Sequence, residues 1–163
     1  MVCGYTREFV REFLNDERGG GTIMGLLWFM LLVGITGMAV DVTNGFRART
    51  MLQATADATS LAAAIDLPDQ AAAVATAVAY AAENMGAEIN GSVLDPADVH
   101  IGLWDGATRS LDTGAALPDS VMVTVRRTEE NSNQVPANFL RIVGLKGWDV
   151  QAQAVAQRFI PTC

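Results

Sequence analysis

From Gly19 to Val40 the chain runs for 22 residues without a charged side chain, and the run ends directly at Asp41. As an α-helix rising about 1.5 Å per residue it reaches roughly 33 Å, against about 30 Å of bilayer hydrocarbon, which predicts a transmembrane helix over 19–40. A cleaved secretory signal is one alternative, with a small-x-small triplet at Gly37-Met38-Ala39. Its apolar region is typically only about 7–15 residues, shorter than this run. The buried core helix of a soluble protein is another, although core helices this long without a polar face are uncommon. Before the run, Phe9, Val10, Phe13 and Leu14 lie among charges, as in a short amphipathic arm over 1–18 that ends at a Gly19-Gly20-Gly21 hinge. After it, Asp41 to Leu67 holds no proline and only Gly45, and is rich in Ala, Leu, Gln, Met and Arg. The helix is therefore expected to continue as an extension over 41–67.

The remaining 68–163 reads as one small α+β domain with an antiparallel sheet. Leu67-Pro68-Asp69 breaks the first helix, and Gln70 to Asn84 is an Ala/Val helix closed by Gly86. Val99, Ile101 and Leu103 alternate, Asp105-Gly106 turns, and Arg109 to Asp112 returns, which predicts a hairpin. Val121, Val123 and Val125 mark one face of a half-buried strand. Pro136 suits the first turn of a short helix carrying Phe139, Leu140 and Val143 and capped by Gly144. A last strand, Trp148 to Phe159, sets Val150, Ala152, Ala154 and Ala156 against Gln151, Gln153 and Gln157.

Charge alters the picture in two ways. Three arginines precede the run (Arg7, Arg11, Arg18) and two follow soon after (Arg47, Arg49), which favours a cytoplasmic N-terminus by a small margin. Residues 41–163 carry eight basic and fourteen acidic side chains, a net charge of −6, with no basic patch interleaved with aromatics. Nucleic acid is excluded as a partner class on that ground. Arg126-Arg127, close to Glu129-Glu130, reads as a solvated strand end. The two cysteines, Cys3 and Cys163, stand at opposite extremes and would lie on opposite sides of a single-pass membrane protein, so they would not pair within one chain.

Candidate chemistry is sparse. His100, the single histidine, shares no recognised spacing with a nucleophile or carboxylate, and Asp95 and Asp98 around Pro96 lack calcium-loop spacing and read as a turn and a cap. Gly19-Gly20-Gly21 opens an apolar run rather than following a strand, so it is no phosphate loop. No catalytic, cofactor-binding or metal site is expected. The informative residues lie on the helical extension. Arg49, Gln53 and Asp57 are spaced by fours, and Ala54, Ala58 and Ala62 form a face of small side chains that lets another helix approach closely. Gly21 and Gly25 make a GxxxG of the weaker kind common in membrane helices. Asp41, at the edge of the hydrocarbon, needs head-group water or a partner's cation.

The stretch Gly34 to Ala64 resembles the N-terminal segment of the Tad (tight adherence) Flp pilus-assembly family, TadE/TadG-like. The hallmark there is a membrane helix ending G-x-A-V-D-V that runs into L-Q-x-A-A-D-A-A-x-L-A-A-A. The matching residues are Gly37, Ala39, Val40, Asp41 and Val42, then Leu52, Gln53, Ala56, Asp57, Ala58, Leu61, Ala62, Ala63 and Ala64. Asp16-Glu17-Arg18-Gly19 is similar to the family's charged segment before the span. A looser resemblance to the TadG-like domain lies in His100 to Asp105 with Thr108, in Ser120 to Thr128, and in the Phe139 to Gly144 and Asp149 to Ala152 segments.

The resemblance implies a non-enzymatic single-pass protein of the bacterial inner membrane, N-terminus cytoplasmic and domain periplasmic, that helps assemble adhesive pili or reaches the cell surface with them. It implies other pilus-assembly or pilin proteins as partners besides the bilayer, and admits a homo-oligomer. Asp41, Gln53, Ala54, Asp57, Ala58 and Ala62 are then the candidate partner-helix residues. Two departures limit it. Cutting after Gly19, Gly20 or Gly21 by a prepilin peptidase would leave Met24, Gly25 or Leu26 where processed members have glutamate. The DxSxS motif of a von Willebrand factor A-like domain is absent, so a short form without that domain is expected. A structural subunit of a surface filament is the alternative, as is a secreted or anchored domain of unrelated function.

Overall fold

The computed structural model describes residues 20–159. The arm over 1–18 and its Cys3, Gly19 and Cys163 lie outside them. The first element, α1 (Gly20–Ile65), is a single helix of 46 residues that takes in both the apolar run and its extension. Gly20 and Gly21 of the expected Gly19-Gly20-Gly21 hinge are helical within α1, and the rest of that expectation lies outside the described residues. The chain separates into two compact units, one ending at Val40 and the other beginning at Asp41.

In the first unit the apolar side chains face outward. Among the described residues α1 is the one helix long and apolar enough to cross a membrane, and only 6 % of its most apolar window is buried. A helix in a soluble core would be mostly buried, so that alternative fails. The hydroxyl of Thr36 donates to the Leu32 carbonyl (2.8 Å), which satisfies the polar group inside the helix, as an apolar surrounding requires.

The second unit is α+β. After α1 come α2 (Gln70–Asn84), a single turn α3 (Ala87–Asn90) and a 3₁₀ turn (Pro96–Asp98). The strands are β1 (Val99–Asp105), β2 (Ser110–Asp112), β3 (Ser120–Arg127), β4 (Val135–Pro136), β5 (Gly147–Trp148) and β6 (Val150–Gln157). Four of them form an antiparallel sheet in the order β2-β1-β3-β6, and β4 and β5 form a separate ladder. Asp69 starts α2 by accepting the Ala72 N–H (3.0 Å), and Asp95 starts the 3₁₀ turn by accepting that of Ala97 (2.9 Å).

One face of the sheet is covered by α1 and α2. Leu52, Ala56 and Ala63 of α1 and Ala73, Ala77 and Ala81 of α2 join Val121, Val123 and Val125 and the alanines 152, 154 and 156 in one buried cluster. Alanine on both helices and on β6 lets these layers approach closely, while Leu52 and the valines of β3 supply the volume. Full burial of Leu52 is worth about 1.5–3 kcal/mol.

Three sequence expectations are corrected here. The helix expected from Pro136 is only a 3₁₀ turn (Leu140–Val143), because Pro136 pairs with Gly147 in β4–β5 and Ala137 N–H bonds the Lys146 carbonyl. Gly144 does cap that turn, at φ +94°. The last strand starts at Val150, with Trp148 in the separate ladder. Arg126 and Arg127 are not a solvated strand end: Arg126 pairs with Asp98, while Arg127 donates to the Asn133 carbonyl (2.9 Å) and the Asn90 side chain (3.3 Å).

Candidate assembly site

Asp41 opens the second unit and is fully buried. Its carboxylate accepts three backbone N–H groups, from Asn138 (2.9 Å), Phe139 (2.8 Å) and Leu140 (2.7 Å). Sequence reasoning sought head-group water or a cation for this charge, and the donors are instead the chain's own amides at the start of a 3₁₀ turn. Charge-assisted bonds of this kind are short and hold geometry well. The Leu140 N–H does most to keep the carboxyl below the ordinary aspartate range; burial acts in the opposite sense, and the Asn138 and Phe139 N–H groups add to the lowering. The result is a clasp between residue 41 and a turn nearly one hundred positions later.

The helix beyond the clasp has two unlike sides. Leu52, Ala56, Thr59 and Ala63 turn inward and are wholly buried. Phe46, Thr50, Ala54, Leu61 and Ile65 are exposed, with Ala58 and Ala62 half-buried at the border. Of the proposed small face, then, only Ala54 stands fully in the open. Gln53 donates to Asp57 (3.0 Å), as the spacing of four implies, and also to the Gln153 carbonyl of β6 (3.3 Å). Because β6 is an edge strand, this bond covers a carbonyl that would otherwise be open to strand addition.

The sequence that builds this arrangement matches two family models. A model of Flp pilus-assembly TadE/G-like proteins matches residues 19–66, and one of Tad-like Flp pilus-assembly proteins matches 52–156, well over half of the chain. The chain belongs to the Tad-like Flp pilus-assembly family. No curated protein and no solved structure matches it. The two family matches overlap over 52–66, which is the segment of α1 that packs on the sheet.

The geometry gives the Tad-like residues separate tasks. Leu52, Ala56, Ala63 and Ala64 of the L-Q-x-A pattern are core residues, and Gln53 with Asp57 ties helix to sheet. In the hairpin, Asp105 accepts the Ala107 N–H (2.8 Å) and the Thr108 hydroxyl (2.7 Å), which fixes the turn and lowers its pKa, the Thr108 hydroxyl contributing most. Gly102 lies where a Cβ would come within 2.3 Å of the Asp112 carbonyl oxygen, so no side chain fits there. His100 is exposed. Among the described residues no three His, Cys, Asp or Glu side chains converge as a metal site would need.

Beside the outer face of α1, Val42, Gly45, Phe46 and Arg49 with Trp148, Asp149 and Val150 line a groove of about 320 Å³. Asp149 is occupied, accepting the Glu129 N–H and the Gln134 side chain (both 2.9 Å). Sequence reasoning missed Asn133. Buried, it donates to the carbonyls of Ser92 (2.8 Å) and Arg126 (3.2 Å) and accepts the Thr128 N–H (2.8 Å). The only sequence signal is Gly91, at φ +68°, whose Cβ would come within 2.7 Å of the Asn133 Cβ.

Proposed function

We propose that this Tad-like protein is a non-enzymatic, minor pilin-like component of Flp pilus assembly, anchored by residues 19–40 and acting through contacts of its helix with other pilus proteins. The observation that carries the reading is the two-sidedness of α1. Its inner side is spent on its own sheet, while Phe46, Ala54, Leu61 and Ile65 remain exposed along the other. A stripe with a small residue between large apolar ones suits helix-to-helix packing. In this reading Ala54 with the borders of Ala58 and Ala62 receives the partner, the Gln53–Asp57 pair flanks it, and Asp41 holds the helix to its domain. The domain is periplasmic and the arm cytoplasmic, in keeping with the arginine bias before the run.

A test is to introduce Ala54→Asp and Leu61→Asp, both on the exposed side, and measure piliation and co-purification of pilus proteins. Both should fall while the chain accumulates at its normal level in the membrane fraction. Unchanged piliation and unchanged complexes would defeat the helix-contact reading. Recovery of the chain in sheared filaments, starting within Gly20 to Thr22, would favour a filament subunit processed at the Gly19-Gly20-Gly21 segment.

A further inference from the structure

We infer that the turn from Phe139 to Lys146 is a second membrane contact, seated in the lipid head-group region beside the end of the apolar run. The inference rests on the anchored reading above. The turn is short, ends at the left-handed Gly144, and turns only Leu140 inward. Its other apolar side chains stand in solvent: Ile142 is 86 % exposed, Val143 73 %, Leu145 51 % and Phe139 42 %. Four exposed apolar side chains within one short turn of a small domain mark an interaction surface.

Two observations favour lipid as its occupant. The first is place. The Asp41 carboxylate bonds the N–H groups of residues 138–140, and a peptide bond joins Asp41 to Val40, the last residue of the run. Whatever depth the run's end takes, the turn is tethered within one side chain of it. The second is charge. Between Glu130 and Asp149 the only charged residues are Arg141 and Lys146, both exposed, in a region of net charge −6. Neither has an ion-pair partner among the described residues. Apolar side chains flanked by cations are what an interface of acyl chains and anionic phosphates accepts, to a depth of about 5–10 Å. The acidic remainder of the domain is repelled by the same surface.

The test uses the full chain carrying Cys3→Ser and Cys163→Ser, with one cysteine reintroduced at a time and labelled with the environment-sensitive fluorophore NBD. Leu32→Cys reports the span, Ile142→Cys the turn, and Leu117→Cys an exposed loop that enters the opposite end of β3. The protein is reconstituted in phosphatidylcholine/phosphatidylglycerol vesicles without bromine, with lipids brominated near the head group, or with lipids brominated near the end of the acyl chain. Head-group bromine should quench emission at 142, acyl-chain bromine should quench it at 32, and neither should affect 117. Quenching at 142 should weaken when phosphatidylglycerol is omitted or when Arg141→Gln and Lys146→Gln are combined; if neither matters, the electrostatic part of the proposal is overturned. Quenching at 32 without quenching at 142 overturns the second contact and leaves the anchor standing. A blue shift at 142 without quenching also overturns it, by showing a protein cover such as a second copy. No quenching at 32 overturns the anchor and the contact together.

Discussion

Asp41 shows how one side chain can be legible in its importance and illegible in its role. Its position after 22 uncharged residues made it conspicuous, but its partners are backbone amides of residues 138–140, which carry no sequence signature. Because the folded state holds its carboxyl below the value of about 3.9 expected of an unfolded chain, its stabilising effect is complete above that pH. It is lost as pH falls through the lowered folded value. Asp41→Asn should therefore lower the melting temperature by several degrees at pH 7, and the gap to the native protein should narrow in thermal melts below about pH 4. Gly102 is a second case. With Asp112 backbone 2.3 Å from its would-be Cβ, Gly102→Ala should cost about 1–3 kcal/mol in chemical denaturation, whereas a glycine of the open turn such as Gly106 has no such crowding.

Among the elements, α1 repays a comparison of its two sides. Ala56→Leu forces three extra carbons into a fully buried contact with the sheet and should destabilise the domain by about 1–3 kcal/mol in urea titration. Ala54→Leu, two residues away on the exposed side, should change stability by no more than about 0.5 kcal/mol and act only on complexes with partners. The sequence made the helix, the hairpin and the β3 and β6 faces readable, because period 2 and period 3.6 are local signals. Which alanines face inward was not readable: Ala54 and Ala56 have the same side chain, and the choice is made by strands formed from residues 99–157. The short β4–β5 ladder was lost for a related reason, since Pro136 is equally at home at a helix start or in an edge strand, and only pairing with Gly147 decides.

For the whole molecule, membership of the Tad-like family and the apolar helix agree on a protein of pilus assembly. If the proposed orientation holds, proteinase K added to spheroplasts should degrade the region after Val40 and leave a fragment containing the span, whereas intact cells should protect the chain. The clasp also has a consequence in time. Asp41 bonds groups 97 to 99 positions later in the chain, and at about 5–20 residues per second their synthesis lags by roughly 5–20 s. The strands that cover Leu52 and Ala56 are equally late. During that interval the nascent helix is already made but has nothing to close upon, so its inner side stays bare. Folding of this domain is thus withheld until residues 138–157 have been made, and a chain interrupted before residue 138 emerges with an unguarded sticky flank that quality control can recognise.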